Sequence, residues 1–222
     1  MSLLSLLPNK SKQRGFSLVE LMISMVLGLA VVGMMTSLYT SSIVNNNKII
    51  NQGKLNLEMK NLIELMSRDI RRAGYWSGAT SSALSSDFSS NLYNGASAAL
   101  SVSPDKSCIT FAYDMDSVNP EVTPQEYIGY KLQQGSVYIR SGFSPCGAAS
   151  HWTQLTNDAI YIDKLVFNLT KINAKGEIGT VPSEGLNTLM STVTINLKAS
   201  LQSDRKKSIE LDKTVLVRNQ GY

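Results

Sequence analysis

Histidine is almost missing from this chain: His151 is the single one among 222 residues, and cysteine is limited to Cys108 and Cys146. These shortages exclude much chemistry. No Ser-His-Asp or Cys-His set is spelled out, no C-x-x-C pair stands ready for redox work, and no His/Cys cluster has the spacing of metal ligands. No Gly-rich phosphate loop appears, and no internal repeat. The chain therefore reads as non-enzymatic, with no cofactor and no metal. Asp114-Met115-Asp116 begins like a calcium loop, but Val118 occupies the next ligand position and no glycine follows in place, so these acids read as solvated groups at a strand end. His151 and Trp152 read as loop residues at a surface or an interface.

Charge is missing in one long stretch. Leu21 to Asn47 holds no charged residue, and Leu21–Met35 is almost wholly Leu, Met, Val, Ile, Ala and Gly. A hydrocarbon core of ~30 Å takes about 20 helical residues, so Phe16–Leu38 is long enough to span a membrane. Lys10, Lys12 and Arg14 precede it with no acid among them, which holds that end on the cytoplasmic side. Everything after about residue 40 then lies outside. A secretory signal places its cleavage site after the apolar region, whereas here the processing-like Gly15 stands before it, so the apolar segment survives maturation. A cut after Gly15 would also remove three basic residues and no acid, leaving 18 Lys and Arg against 17 Asp and Glu. The mature chain is nearly neutral, and the excess of positive charge that suggests nucleic acid belongs largely to a targeting element.

What is present around that cut is specific. Lys12-Gln13-Arg14-Gly15-Phe16-Ser17-Leu18-Val19-Glu20-Leu21-Met22 resembles the class III leader of type IV pilins and their relatives. The resemblance implies that a prepilin peptidase cuts after Gly15 and methylates the new N-terminus at Phe16, leaving Glu20 as the fifth residue of the mature chain. It also implies that the Phe16 amine and the Glu20 carboxylate neutralise charge as subunits pack in a filament. A carboxylate inside a spanning helix costs ~2.5–3.5 kcal/mol at the centre and less near an end, which makes Glu20 a functional candidate on physical grounds as well. Ser24 and Gly28, four apart, offer a small face for close helix packing. The proline that often kinks such helices is absent: its neighbourhood holds Thr36, Ser37 and Leu38.

Beyond the membrane the helical pattern continues. Leu55, Met59, Leu62, Met66, Ile70 and Ala73 recur at spacings of three and four and form one apolar stripe. Lys60 with Glu64 and Glu64 with Arg68 are opposite charges one turn apart on the wet side. A helix from Phe16 to Arg72 would be ~85 Å long at about 1.5 Å per residue, and its outer half must bury the stripe on the rest of the chain. Asn45-Asn46-Asn47 and Gly53 are its weak points, and Gly74 reads as its stop, with Arg71 and Arg72 at the negative end of the dipole. The string Arg68-Asp69-Ile70-Arg71-Arg72-Ala73-Gly74-Tyr75-Trp76 resembles the helix end of PilW-like minor pilins and of J-type pseudopilins of type II secretion.

Ser77–Lys106 is rich in Ser, Ala and Asn and reads as a surface connection. After Pro104 come strands at Ile109–Tyr113, Tyr127–Leu132, Val137–Arg140, Ile160–Thr170, Thr192–Leu201 and Ser208–Arg218. Hairpins are expected through Gln133-Gln134-Gly135 and through Gln202–Lys207, the latter carrying Arg205-Lys206-Lys207 as a solvated loop. Cys108 and Cys146 fall in the part assigned to the periplasm, where an even pair reads as a disulfide tying a loop to the sheet; two buried free thiols are the alternative.

The fold class is α+β, a pilin-like fold: a long N-terminal transmembrane and amphipathic helix packed on an antiparallel β-sheet head. The expected organisation is a cleaved leader over 1–15, the helix over 16–73 with about 16–38 in the membrane, a connection over 74–107 and the head over 108–222. The resemblance implies a minor pilin that acts in initiation of type IV pilus assembly at the tip. Its expected partners are the prepilin peptidase, other minor and major pilins, the inner-membrane assembly platform and a tip adhesin. Nucleic acid is not an expected partner. The expected location is the inner membrane, with a single pass, a periplasmic head and incorporation into the extracellular pilus. A J-type minor pseudopilin and a DNA-uptake pilin are the alternative readings.

Overall fold

A computed structural model describes residues 15–77, 91–95, 98–116, 122–172 and 190–217. Residues 78–90 and 96–97, half of the expected 77–106 connection, and the basic part of the leader lie outside the described residues. Two compact units emerge, Met1–Ile50 and Asn51–Tyr222. Helix α1 (Leu18–Arg72) contributes its first part to one and the remainder to the other.

In the first unit α1 is apolar and none of its most hydrophobic window is buried within the chain. This helix is long and apolar enough to cross a bilayer. In the second unit the spacing of apolar residues has its physical consequence. Leu55, Met59, Leu62, Met66, Ile70 and Ala73 are all buried, none more than 5 % exposed. Burying each large side chain contributes up to about 1.5–3 kcal/mol, less what a compact unfolded chain already hides. The helix ends at Arg72, and Gly74 turns the chain with φ of 75°, a left-handed geometry that suits glycine, while its N–H donates to the Ala112 carbonyl at 2.8 Å.

The stripe meets two sheets, not the single sheet that the strand pattern suggested. The first is an antiparallel meander of β1 (Ser101–Val102), β2 (Cys108–Ala112), β3 (Tyr127–Gln133), β4 (Ser136–Arg140) and β5 (Trp152–Gln154), in that spatial order. The second joins β6 (Ile160–Ile172), β7 (Met190–Leu201) and β8 (Asp204–Val217), also antiparallel and in chain order. One core runs through helix and both sheets, including Ile109, Phe111, Tyr130, Phe167, Val193 and Ile195. The strands β1 and β5 are two and three residues long, too short to show a period-2 pattern, which is why they were not legible. Because β1 precedes Cys108 and Leu100 joins the core, the packed head begins before residue 108.

Two junctions hold the sheets together. The Ile162 N–H donates to Gly135 in the β3–β4 turn and the Phe167 N–H to Lys106, both at 2.8 Å. Gly135 has φ of 76°, and a Cβ there would lie 2.1 Å from the Tyr161 ring, so the turn needs glycine both for its backbone and for this contact.

The last hairpin is tighter than expected. The turn is Gln202-Ser203, and β8 already begins at Asp204. Since Ser200 pairs with Ser208 but Leu201 pairs with Asp204, the register slips and Arg205-Lys206-Lys207 forms a bulge on the strand instead of a loop. Arg205 lies over the Tyr161 ring, 3.6 Å from its centroid, and donates to Gln202 Oε1 at 3.0 Å. Glu64 also differs from expectation. Its ion-pair partner is Lys213 of β8 and not Lys60 or Arg68 of its own helix, and this ammonium holds the Glu64 carboxyl below its usual range.

Candidate functional site

In the first unit, Gly15, Phe16 and Ser17 precede the helix and are exposed. The Ser17 carbonyl accepts the first helical bond, from the Leu21 N–H at 3.1 Å, so Ser17 takes the N-cap position and Glu20 the third helical position. This places the Glu20 carboxylate in the first turn, where the helix dipole favours negative charge. Ser24 returns its hydroxyl to the Glu20 carbonyl at 2.8 Å. Phe16 is 82 % exposed, and nothing lies within 4 Å of the place a Gly15 Cβ would take. Exposed, uncrowded chain directly before the helix is open to a peptidase, and the acid in the first turn stands close in sequence to the amine that a cut would release.

A family model described as the prokaryotic N-terminal methylation motif matches residues 10–36, which include Gly15, Phe16 and Glu20. A second, described as prepilin peptidase-dependent protein B, matches residues 48–217, more than half of the chain. The chain belongs to the prepilin peptidase-dependent protein B family. No curated protein and no solved structure matches it. The two matches together make it a type IV pilin-like minor pilin, a pilin-type subunit processed by prepilin peptidase, and its apolar helix suits a single-pass anchor in the inner membrane.

The head of this prepilin peptidase-dependent protein carries three polar devices. Asp69 stands on the buried side of α1, 8 % exposed, and accepts from Tyr130 Oη at 2.5 Å and Tyr113 Oη at 3.4 Å. Arg72 lies over the Tyr113 ring, 4.9 Å from its centroid. Sequence reasoning missed Asp69, although a signal existed: it follows Met66 by three and so falls on the apolar stripe. Burial, with the Asp69 charge second, pushes the Tyr113 hydroxyl up to about 12 and raises that of Tyr130 further. A hydroxyl that keeps its proton more tightly when folded supports the fold fully below its unfolded value near 10, and that support is lost as the pH climbs from there through the folded value. Stability in denaturant titrations should accordingly fall between pH 10 and about 12, and Tyr113→Phe and Tyr130→Phe should each flatten the decline. Equal slopes in wild type and both variants would rule this network out as the cause.

The second device holds the 141–151 connection between β4 and β5. Cys108, the first residue of β2, is joined by a disulfide to Cys146 in that connection, with Cα atoms 6.1 Å apart. Arg140, 3 % exposed, donates to the carbonyls of Ser144 (3.1 Å), Phe111 (2.9 Å) and Ile128 (2.8 Å), and burial lowers its pKa to about 10. Buried Lys131 donates to Ala148 at 2.8 Å and lies over the Trp152 ring. Trp152 thus opens β5 and is partly buried, whereas His151 is an exposed residue with φ of 61°.

The third is a carboxylate cluster. Oxygens of Asp114, Asp116 and Glu126 lie within 4.8 Å of one another, an arrangement that suits a cation by distance alone. The reading of Asp114 as solvated is corrected: it is 2 % exposed and its Oδ2 accepts from the Ser77 N–H and hydroxyl. Glu126 is likewise engaged, by Tyr93 Oη, the Met115 N–H and both donors of Thr123, so the cluster works as an internal brace. The brace itself raises the Tyr93 hydroxyl, through burial first and the Glu126 bond second.

Proposed function

We propose that this protein is a minor pilin of the PilW-like kind that acts in initiating type IV pilus assembly at the tip. On this reading the peptidase cuts between Gly15 and Phe16, the segment around 16–38 stays in the inner membrane, and the head stands in the periplasm until the subunit enters the pilus at low copy. The observation that carries it is the methylation-motif match over 10–36 on an apolar helix that the chain does not bury in its own first unit. Apolar surface of that extent is stable only in lipid or against other helices. Neighbouring pilin helices supply such cover once the subunit leaves the membrane. The head then presents its surfaces to other minor pilins, to the assembly platform and to a tip adhesin.

Deleting the gene in a strain whose pilus retraction is disabled tests the role in initiation. The expected result, counted by electron microscopy, is far fewer pili of ordinary length, restored by the wild-type gene. Wild-type pilus numbers together with a secretion defect would instead assign the subunit to a type II secretion system.

A further inference from the structure

The two ends of the disulfide differ in their surroundings. Cys108 is 3 % exposed, and Ser103 engages its backbone, with the Cys108 N–H donating to Ser103 Oγ and the Cys108 carbonyl accepting from the Ser103 N–H. Cys146 is partly exposed and stands between exposed Pro145 and Gly147. A groove of about 490 Å³ opens at the bridge, with Cys108, Lys131, Cys146 and Gly147 in its lining. Lys131 lies directly opposite Cys108 in the β2–β3 register, and its Nζ donates to the Cys146 carbonyl at 3.3 Å. Lys131 is thus the strand partner of one end of the bridge and a hydrogen-bond donor to the other.

An incoming thiolate attacks the sulfur it can reach, and the bond breaks fastest when the departing thiolate is stabilised by a nearby cation. We propose that Cys146 is the site of exchange with external thiols and that Cys108 is the departing and resolving sulfur. In the reducing direction the external thiolate forms a bond to Cys146 Sγ, the Cys108–Cys146 bond breaks, and its electron pair stays on Cys108 as a thiolate beside Lys131. Resolution is the reverse: Cys108 attacks Cys146 Sγ and expels the external thiolate. Making the bridge from two thiols uses the same sulfur. An external disulfide accepts the two electrons, leaving first a mixed disulfide on Cys146 and then, after Cys108 attacks, a second released thiolate. Opening the bridge does not free the connection, because Arg140 still holds Ser144, Lys131 holds Ala148, and Trp152 Nε1 donates to Pro145 at 3.3 Å. Cys146 is thus kept in place for resolution.

The test uses the oxidised full-length protein in detergent micelles, exposed to reduced glutathione, quenched with acid, alkylated with N-ethylmaleimide and mapped by peptide mass spectrometry. Glutathione on Cys146 with maleimide on Cys108 is expected in about tenfold excess over the reverse. Lys131→Gln should slow the first step without changing which sulfur is taken, and Lys131→Arg should restore the rate. Glutathione mainly or equally on Cys108 would overturn the proposal. So would the absence of any mixed disulfide over a time in which the urea-unfolded chain is fully reduced, and a rate unaffected by Lys131→Gln would overturn the role given to Cys108.

Discussion

Replacing Gly15 by valine is expected to leave the protein in the membrane as an uncut precursor, with no mature N-terminus detectable by mass spectrometry. The wild-type protein from the same cells should begin with N-methylated Phe16. The structure separates the two ways such a variant can fail. A side chain at Gly15 meets nothing within 4 Å, so the folded protein tolerates it and the loss must arise where the peptidase grips the chain. Insertion should be unaffected, because the apolar segment and the basic residues that orient it are unchanged. A Gly15→Val protein that is cut and methylated normally, or a wild-type protein that stays uncut beside an active prepilin peptidase, would defeat the assignment of the processing site.

Replacing Glu20 by glutamine is expected to spare cleavage and membrane insertion while most pili are lost. Glutamine keeps size and hydrogen bonding but removes the charge that is proposed to meet the Phe16 amine of a neighbouring subunit. Taking one partner from a charge pair buried away from water costs about 3–5 kcal/mol. At about 1.4 kcal/mol per decade, that lowers the affinity of the contact more than a hundredfold. The internal bond from Ser24 goes to the Glu20 backbone carbonyl, so it survives the substitution and the helix start is kept. On the proposed role in initiation, the defect should appear as pilus number and not pilus length. Wild-type numbers and wild-type incorporation in a retraction-disabled strain would show that Glu20 is a passive residue turned toward the membrane surface.

The methylation motif over 10–36 and the apolar helix were legible because a membrane and a peptidase read a chain locally. Charge, apolarity and a glycine over about 25 consecutive residues are enough to define a span with a processing signal before it. The helix stripe was legible for a similar reason: periodicity of 3.6 marks a buried face whatever covers it, and Leu55 through Ala73 are buried as their spacing demands. The same holds for β7, where Val193, Ile195, Leu197 and Ala199 alternate with partly exposed residues. Asp69 shows where local reading fails. Its place on the stripe was visible, but Tyr113, just after β2, and Tyr130 of β3, which let a carboxylate lie there, are 44 and 61 residues away. Glu64 had oppositely charged neighbours within a turn on either side and pairs instead with Lys213, 149 residues on.

Local pattern therefore carried the methylation motif, an apolar helix long enough to cross a membrane, the buried helix face and the long strands, since each depends on a period or on consecutive residues. Tertiary structure settled the division of the strands into two sheets, the bulge that carries Arg205-Lys206-Lys207, the partners of Asp69 and Glu64, and the unequal exposure of Cys108 and Cys146. Each of these depends on the register between segments far apart in the chain, and a slip of one residue in a strand turns every side chain to the opposite face.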